Sequence, residues 1–350
     1  MQFVSVEQLD LFIRRCFMAV GLPEHDAKTV AMLMTEADAN GSDGHGVFRL
    51  PQYIERIQSD GINLQSNIHI AEDKGAMALV DGDNAVGHLV MHYATELAMN
   101  RAAEHGVSWV GVRHSNHAGP AALYAKMPLK KDMIGIYVAV GSANHLPPWG
   151  GTEMLLSTNP IAVAIPANEE PPIVLDMATT VAAYGKVKTA AQRGESIPEG
   201  WMIDKLGNPL TDPSRANEGF LLPIGGPKGY GLSLIFGLLA GTLNGAAFGK
   251  NVIDFNADSK SFTNTGQFII ALSIESFGDV NLFKRNVDEV IRSMQASSKL
   301  PGFDEIRVPG ERSLKIRRQR EQSGIPIPDA LYDALSRLAK SLKTESLRVL

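Results

Sequence analysis

Cysteine occurs once, at Cys16, which excludes an internal disulfide and any multi-cysteine zinc or iron–sulfur site. No apolar run approaches the roughly 18–20 residues of a membrane-spanning helix. The most apolar long stretch, residues 232–243, is too short and is broken by glycines. The opening "MQFVSVEQLDLF" lacks a basic stretch with an apolar one behind it, so no secretory leader is expected and a cytoplasmic home fits. An excess of positive charge is also missing. The net charge is -5, which disfavours a phosphate-backbone partner, so neither nucleic acid nor membrane is expected as a partner. The basic run "RSLKIRRQREQ", residues 312–322, has no interleaved aromatics and reads as a solvated or interfacial segment. The dinucleotide fingerprint G-x-G-x-x-G is absent, and "GAAFGKN" fails the phosphate-loop pattern because it ends in Asn251 and lacks the glycine spacing. Internal repeats and low-complexity linkers are absent too.

What is present is an ordinary globular composition. With 350 residues and 44% hydrophobic content the chain can bury a substantial core, and about two lobes are expected. Helical spacing of Leu9, Phe12, Ile13, Cys16, Phe17 and Val20 predicts a first helix, and a Pro-led second helix is expected over residues 24–39. The stretch "AMALVDGDNAVGHLV" predicts a strand, a turn through Asp81–Asn84 and a long helix reaching His105. Short strands are expected at 107–112, 133–140, 161–166, 173–176 and 268–274. Helices are expected near 118–126, 180–191, 228–243, 282–296 and 328–342. The chain is therefore mixed α and β, with helices concentrated at both ends. Glycines at 237, 241, 245 and 249 suggest close helix contact within a core.

Two short stretches carry chemistry. "GVRHSNHAGPAALY" places His114 and His117 where a strand hands over to a helix, and "DGHGVFRLPQY" offers His45, Arg49 and Tyr53. An imidazole near neutral pKa cycles a proton at physiological pH, and an arginine fork pairs with a carboxylate bidentately. A third stretch, "GGPKGYG", puts Lys228 at the start of an apolar helix, a donor-rich end suited to phosphate or equally to a plain tight loop. A rival reading has His45, His114, His117 and Asp176 holding a divalent metal for a hydrolase or lyase. No H-E-x-x-H or comparable cluster supports it.

As a set, "DGHGVFRLPQY", "GVRHSNHAGPAALY", "PPWGGTEMLLSTNPIAVAIP", "LDMATTVAAYGKV", "IPEGWMIDKLGNPLTDP", "LLPIGGPKGYGLSL" and "PGFDEIRVPGE" resemble the malate/L-lactate dehydrogenase family of the second, non-Rossmann type. The likeness runs from about Val6 to Leu331, with the motifs in family order. It implies an α+β fold that binds NAD or NADP on a mixed, largely antiparallel sheet, which accounts for the missing fingerprint. It also implies a helical substrate and dimerisation lobe from residues 1–118 plus 300–350, a cofactor lobe from 119–299, and a homodimer with the site near the subunit contact.

The implied activity is reversible hydride transfer between NAD(P) and a small 2-hydroxy acid, without metal. The runner-up is reduction of a cyclic imine of the piperideine-2-carboxylate type. The acid/base histidine of the family maps onto His117, and substrate contacts onto His45, Arg49 and Tyr53. Cofactor contacts map onto Ser142, Asp176, Met177, Ala178, Lys228, Pro309, Gly310 and Glu311. Two positions depart from the usual pattern: Gly44 stands where many members have serine, and Gly141 where relatives often have asparagine. Gly44 puts substrate identity in doubt more than reaction type, and Gly141 suggests a less polar cofactor patch.

Overall fold

The computed structural model describes residues 1–350, the side chains of 192 and 193 excepted. The N-terminal segment forms β1 (Gln2–Val4), α1 (Val6–Ala19), α2 (Glu24–Ala39) and α3 (Leu50–Gln58). Then come β2 (His69–Lys74), β3 (Met77–Ala85), α4 (Gly87–His105), β4 (Val107–Ser115), α5 (Ala122–Lys126), β5 (Met133–Ala139), β6 (Ile161–Ile165) and β7 (Ile173–Met177). The second half comprises α6 (Tyr184–Arg193), β8 (Met202–Asp204), β9 (Gly219–Leu221), α7 (Pro227–Ala240) and β10 (Gln267–Ser273), then α8 (Val280–Gln295), α9 (Glu311–Ser323), β11 (Ile325–Ile327) and α10 (Asp329–Leu342).

The main sheet has seven strands in the order β2-β3-β4-β10-β5-β6-β7. Only the β3–β4 pair is parallel; its other neighbours are antiparallel, as expected. Because β4 and β5 both run antiparallel to β10, and β5 and β7 both to β6, the C-terminal ends of β4, β5 and β7 share one edge. The loops that leave these strands carry His117, Ser142 and Ala178, so topology alone gathers them. The sheet takes β2, β3 and β4 from before residue 119 and the rest from after it, so it crosses the expected lobe boundary.

Two large cores flank this edge. One joins α1, α2, α3 and α10 through Leu9, Phe17, Met34, Tyr53 and Leu335. The other packs α4 on the sheet through Val90, Met91, Val80, Val110 and Ile269. Arg56, fully buried on α3, ties the helices to the segment before β10. Its guanidinium donates to the Asp258, Ser261 and Phe255 carbonyls and to Thr263 Oγ1, and lies 4.5 Å from the centre of the Phe255 ring.

Three details differ from expectation. The turn at Asp81–Asn84 is a bulge within β3, where Asp83 and Asn84 take positive φ of 46° and 55°, a conformation these side chains tolerate. The basic run at 312–322 is α9. Its Arg317 bonds Glu36 at 2.6 Å and Arg320 pairs with Asp43, so these two charges are engaged by α2 and the loop behind it, while Arg312, Lys315 and Arg318 stay exposed. Of the spaced glycines, 237 and 241 make the close contacts: a Cβ on Gly237 would come within 2.1 Å of the Phe248 ring. Gly245 and Gly249 lie beyond α7 and have positive φ. That helix leaves Leu232, Ile235 (54% exposed) and Leu238 (40%) facing outward.

Candidate functional site

The loop after β4 is pinned by Asn116. This fully buried side chain donates to the Asn84 and Ala85 carbonyls at 3.0 and 2.9 Å, and accepts from Thr263 Oγ1 at 2.8 Å. Gly87 makes the approach possible, since a Cβ there would lie 2.0 Å from the Asn116 carbonyl oxygen. His117 is thereby delivered against Tyr53, whose hydroxyl lies 2.5 Å from Nδ1. The Gly119 N–H points to the same nitrogen at 3.4 Å. Two donors on Nδ1 put the proton of the neutral ring on Nε2.

The ring of His117 stacks on His45 (centroids 5.3 Å apart, 10° between planes) and packs against Phe255 at 5.5 Å. Burial, then the neighbouring His45, Arg49 and His88, hold its pKa well below the ordinary histidine value. Burial and Arg49 likewise push His45 down to about 4. Burial raises the Tyr53 phenol, which stays protonated.

Arg49 is held by neutral groups only. Nε donates to the Gly44 carbonyl (3.0 Å) and Nη1 to Gln52 Oε1 (2.7 Å) and Asn256 Oδ1 (3.0 Å). Among the described residues no carboxylate pairs with it and Nη2 has no protein partner, so it can take an anion there. Asn256 adjoins Phe255, which touches His117, and the two functional groups therefore share a wall.

A cleft of about 2210 Å³ runs past these groups. Its walls include His45, Arg49, His117, Ser142, Asp176, Met177, Ala178, Pro309 and Gly310. Asp176 accepts from the Ala122 N–H at 3.0 Å, and burial raises its pKa. Three expected contacts lie elsewhere, as does His114 of the rival metal reading. Tyr53 is fully buried behind His117 rather than on the cleft wall. Glu311 turns back to accept from the Val308 N–H and from Gln295. Lys228 does start α7 with Pro227 at its first turn, yet it is exposed and does not line the cleft. His114 has a φ of 50° and its ring bonds Asp81 at 2.9 Å, apart from the other two histidines. Among the described residues no group of three or more His, Cys, Asp or Glu is placed to hold a metal.

The two departures at glycine have different causes. A Cβ on Gly141 would overlap Ser157 Oγ at 2.0 Å, so packing demands glycine, whereas Gly44 has open space within 4 Å. Asn116, Gln52, Asn256 and His88 escaped the sequence reading. Asn116 and Gln52 had a signal, one beside His117 and the other one helical turn from Arg49; Asn256 and His88 had none, because the residues they meet are distant in the chain.

His88, on α4, is fully buried with both ring nitrogens unpartnered, and burial with His45 nearby lowers its pKa to about 3. Folded His88 binds fewer protons than unfolded His88, so its stabilising share is complete above about pH 6.5 and is lost as pH falls toward the folded value. Urea unfolding between pH 6.5 and 4 should show stability falling by about 1.4 kcal/mol per pH unit for each such histidine. His88→Leu should make that slope shallower by one proton; an unchanged slope would remove His88 from the account.

The family model described as malate/L-lactate dehydrogenase matches residues 4–336. The chain is 37% identical over 342 residues to the malate/(S)-sulfolactate dehydrogenase of Methanothermus fervidus, covering 98% of each. It is 34% identical over 332 residues to the ureidoglycolate dehydrogenase (NAD(+)) of Escherichia coli, covering 95% of this chain and 94% of the other. With the (2R)-3-sulfolactate dehydrogenase (NADP(+)) of Chromohalobacter salexigens it shares 30% over 342 residues, covering 97% and 99%. Among solved structures, the sulfolactate dehydrogenase of Methanocaldococcus jannaschii superposes with a TM-score of 0.91 at 37% identity, covering 98% of each chain. The Δ1-piperideine-2-carboxylate reductase of Pseudomonas syringae does so at 0.85 and 28%, covering 97% of this chain and all of the other. Matched along nearly its whole length in both sequence and fold, the chain belongs to the malate/L-lactate dehydrogenase family.

Proposed function

We infer that the chain is an NAD(P)-dependent dehydrogenase that interconverts a small 2-hydroxy acid and its 2-oxo acid. The observation that carries this is the pairing of an arginine fork free of any protein carboxylate with a buried imidazole whose Nε2 alone is unengaged. The cleft fits a dinucleotide in size, and Ser142, Asp176, Met177, Ala178, Pro309 and Gly310 would hold it. When bound, the nicotinamide supplies or accepts the hydride at the carbon beside the carboxylate.

The residues of the chain do the rest. Arg49 takes the substrate carboxylate through Nη2, its one nitrogen without a protein partner among the described residues, and fixes the reacting carbon relative to His117. The carboxylate also offsets a positive charge that depresses His117, which favours protonation of the imidazole. Nε2 then gives its proton to the ketone oxygen in reduction, and takes it back in oxidation. Tyr53 suits both states, since a hydroxyl donates to bare Nδ1 and accepts from Nδ1–H. His45, stacked on His117, lies where it can donate to the substrate. Reduction of a cyclic imine needs the same proton and carboxylate anchor. Relatives at 34–37% identity are named for hydroxy acids, which favours the acid.

The outward apolar face of α7, with Leu232, Ile235 and Leu238, supports a homodimer. A cofactor contact from Lys228, which lies outside its own cleft, then calls for the cleft of a second copy. The lone, buried Cys16 calls for no oxidising compartment, in keeping with a cytoplasmic location; among the described residues no helix is long and apolar enough to cross a membrane. Sedimentation should give a dimer for the wild type and a monomer for Ile235→Asp/Leu238→Asp; a monomeric wild type would dismiss the interface.

The test of function is NADH and NADPH oxidation with a panel of 2-oxo acids and piperideine-2-carboxylate. His117→Ala should lower turnover about 10² to 10⁴-fold, and His114→Ala far less. Arg49→Lys should cost roughly 10 to 150-fold in kcat/KM with cofactor affinity retained. Turnover of His117→Ala within threefold of wild type would overturn the assignment.

A further inference from the structure

The cleft does not end at Arg49. Beyond it opens a chamber of about 290 Å³, and His145, Tyr184, Lys188 and Asn256 line both spaces. Asn256 Oδ1 accepts from Arg49 at 3.0 Å, so the chamber is the next room past the carboxylate anchor. Its floor is apolar, formed by Met154, Met202, Phe220 and Leu221. At the rim, His145 stacks on Tyr184 at 4.0 Å with 13° between planes, and the Lys188 ammonium lies 5.5 Å from the centre of the same phenol ring.

Lys188 has no ion pair and no hydrogen bond among the described residues. Burial and the charge of Arg49 lower its proton affinity, with Asp254 opposing them as a lesser influence. The burial-driven drop in the pKa of His145 to about 4 leaves that ring neutral. Asp254 itself is occupied by the backbone N–H groups of Asn256 and Ala257 through Oδ1. Arg49 and Lys188 thus face one connected space and repel each other, and Asp254, which also lines the chamber, forms an ion pair with neither. A ligand with one negative group relieves only Arg49; a ligand with two relieves both.

We propose that the chamber is the specificity subsite for the far end of the substrate, where Lys188 reads a second anionic group, carboxylate or sulfonate, on a short 2-oxo acid held by Arg49. This rests on the dehydrogenase reading and names the substrate class within it. The stem of such an acid is short and lies over the apolar floor, while a methyl group would leave Lys188 without a partner. A neutral amide tail would gain hydrogen bonds but no charge pairing.

The experiment is initial-rate reduction of pyruvate, oxalurate, oxaloacetate and sulfopyruvate by the wild type and by Lys188→Ala, Lys188→Glu and Lys188→Arg. Lys188 makes no ion pair or hydrogen bond that folding requires among the described residues, and fluorescence titration of the reduced cofactor checks that each variant is intact. The wild type should prefer the two dianions. Lys188→Ala should lower kcat/KM for these about 10 to 100-fold, mostly through KM, and change pyruvate less than about threefold. Lys188→Glu should widen the loss and Lys188→Arg should restore most of the preference. A preference for pyruvate or oxalurate, or a dianion preference that survives Lys188→Ala, would overturn the subsite while leaving the dehydrogenase reading intact. Failure of the wild type to reduce any of the four acids would overturn both.

Discussion

The hydrogen bond between Tyr53 and Nδ1 of His117 is the contact on which the site turns. It joins two structures built by different rules. Tyr53 belongs to α3 and to the helical core with Phe17 and Leu50, whereas His117 belongs to the exit of a sheet strand. The bond therefore sets helices against sheet at the point where the reacting atom must be held, and Arg56 reinforces it by clamping α3 to the wall that carries Phe255 and Asn256. A buried phenol is a costly neighbour unless its hydroxyl is partnered, so stability and alignment are served by one contact.

Charge is arranged around this contact by subtraction. Three imidazoles, His45, His88 and His117, are kept neutral by burial and by neighbouring imidazoles or Arg49, while Arg49 is solvated by one backbone carbonyl and two side-chain amide oxygens instead of an acid. The resting site is therefore short of negative charge. In the proposed function a carboxylate-bearing substrate fills that shortage, and its arrival would change the proton affinity of His117. Binding and proton transfer are coupled through the same field, with no moving part required.

Much of this was legible in the chain. Apolar periodicity located α1, α2 and the main strands within a few residues, because those patterns report burial directly. The motif around His117 and the Arg49 loop fall on one cleft, and their separation by 68 positions in sequence was bridged only by the family likeness. What stayed hidden depends on long-range packing. Tyr53 read as a substrate contact because a turn of helix puts it near Arg49, but Phe17, His88, His117 and Phe255 pack around it and cover it. Lys228 and Glu311 lie in the motifs that suggest cofactor, yet one faces outward and the other folds back on Val308. The basic run on α9 gave no hint of Glu36 and Asp43, its partners from the other end of the chain. Gly141 looked like a lost polar contact and is a packing requirement set by Ser157.

The most direct measurement is the pH dependence of kcat and kcat/KM for Tyr53→Phe beside the wild type, with cofactor affinity measured in parallel. The phenylalanine keeps the core filled and removes only the hydroxyl from Nδ1. The account predicts a drop in kcat of about 10 to 100-fold, a displaced ionisation in the kcat profile, and unaltered cofactor binding. A variant with the wild-type rate and the same pH profile would contradict it, because His117 would then be aligned and tuned without the bond that holds it.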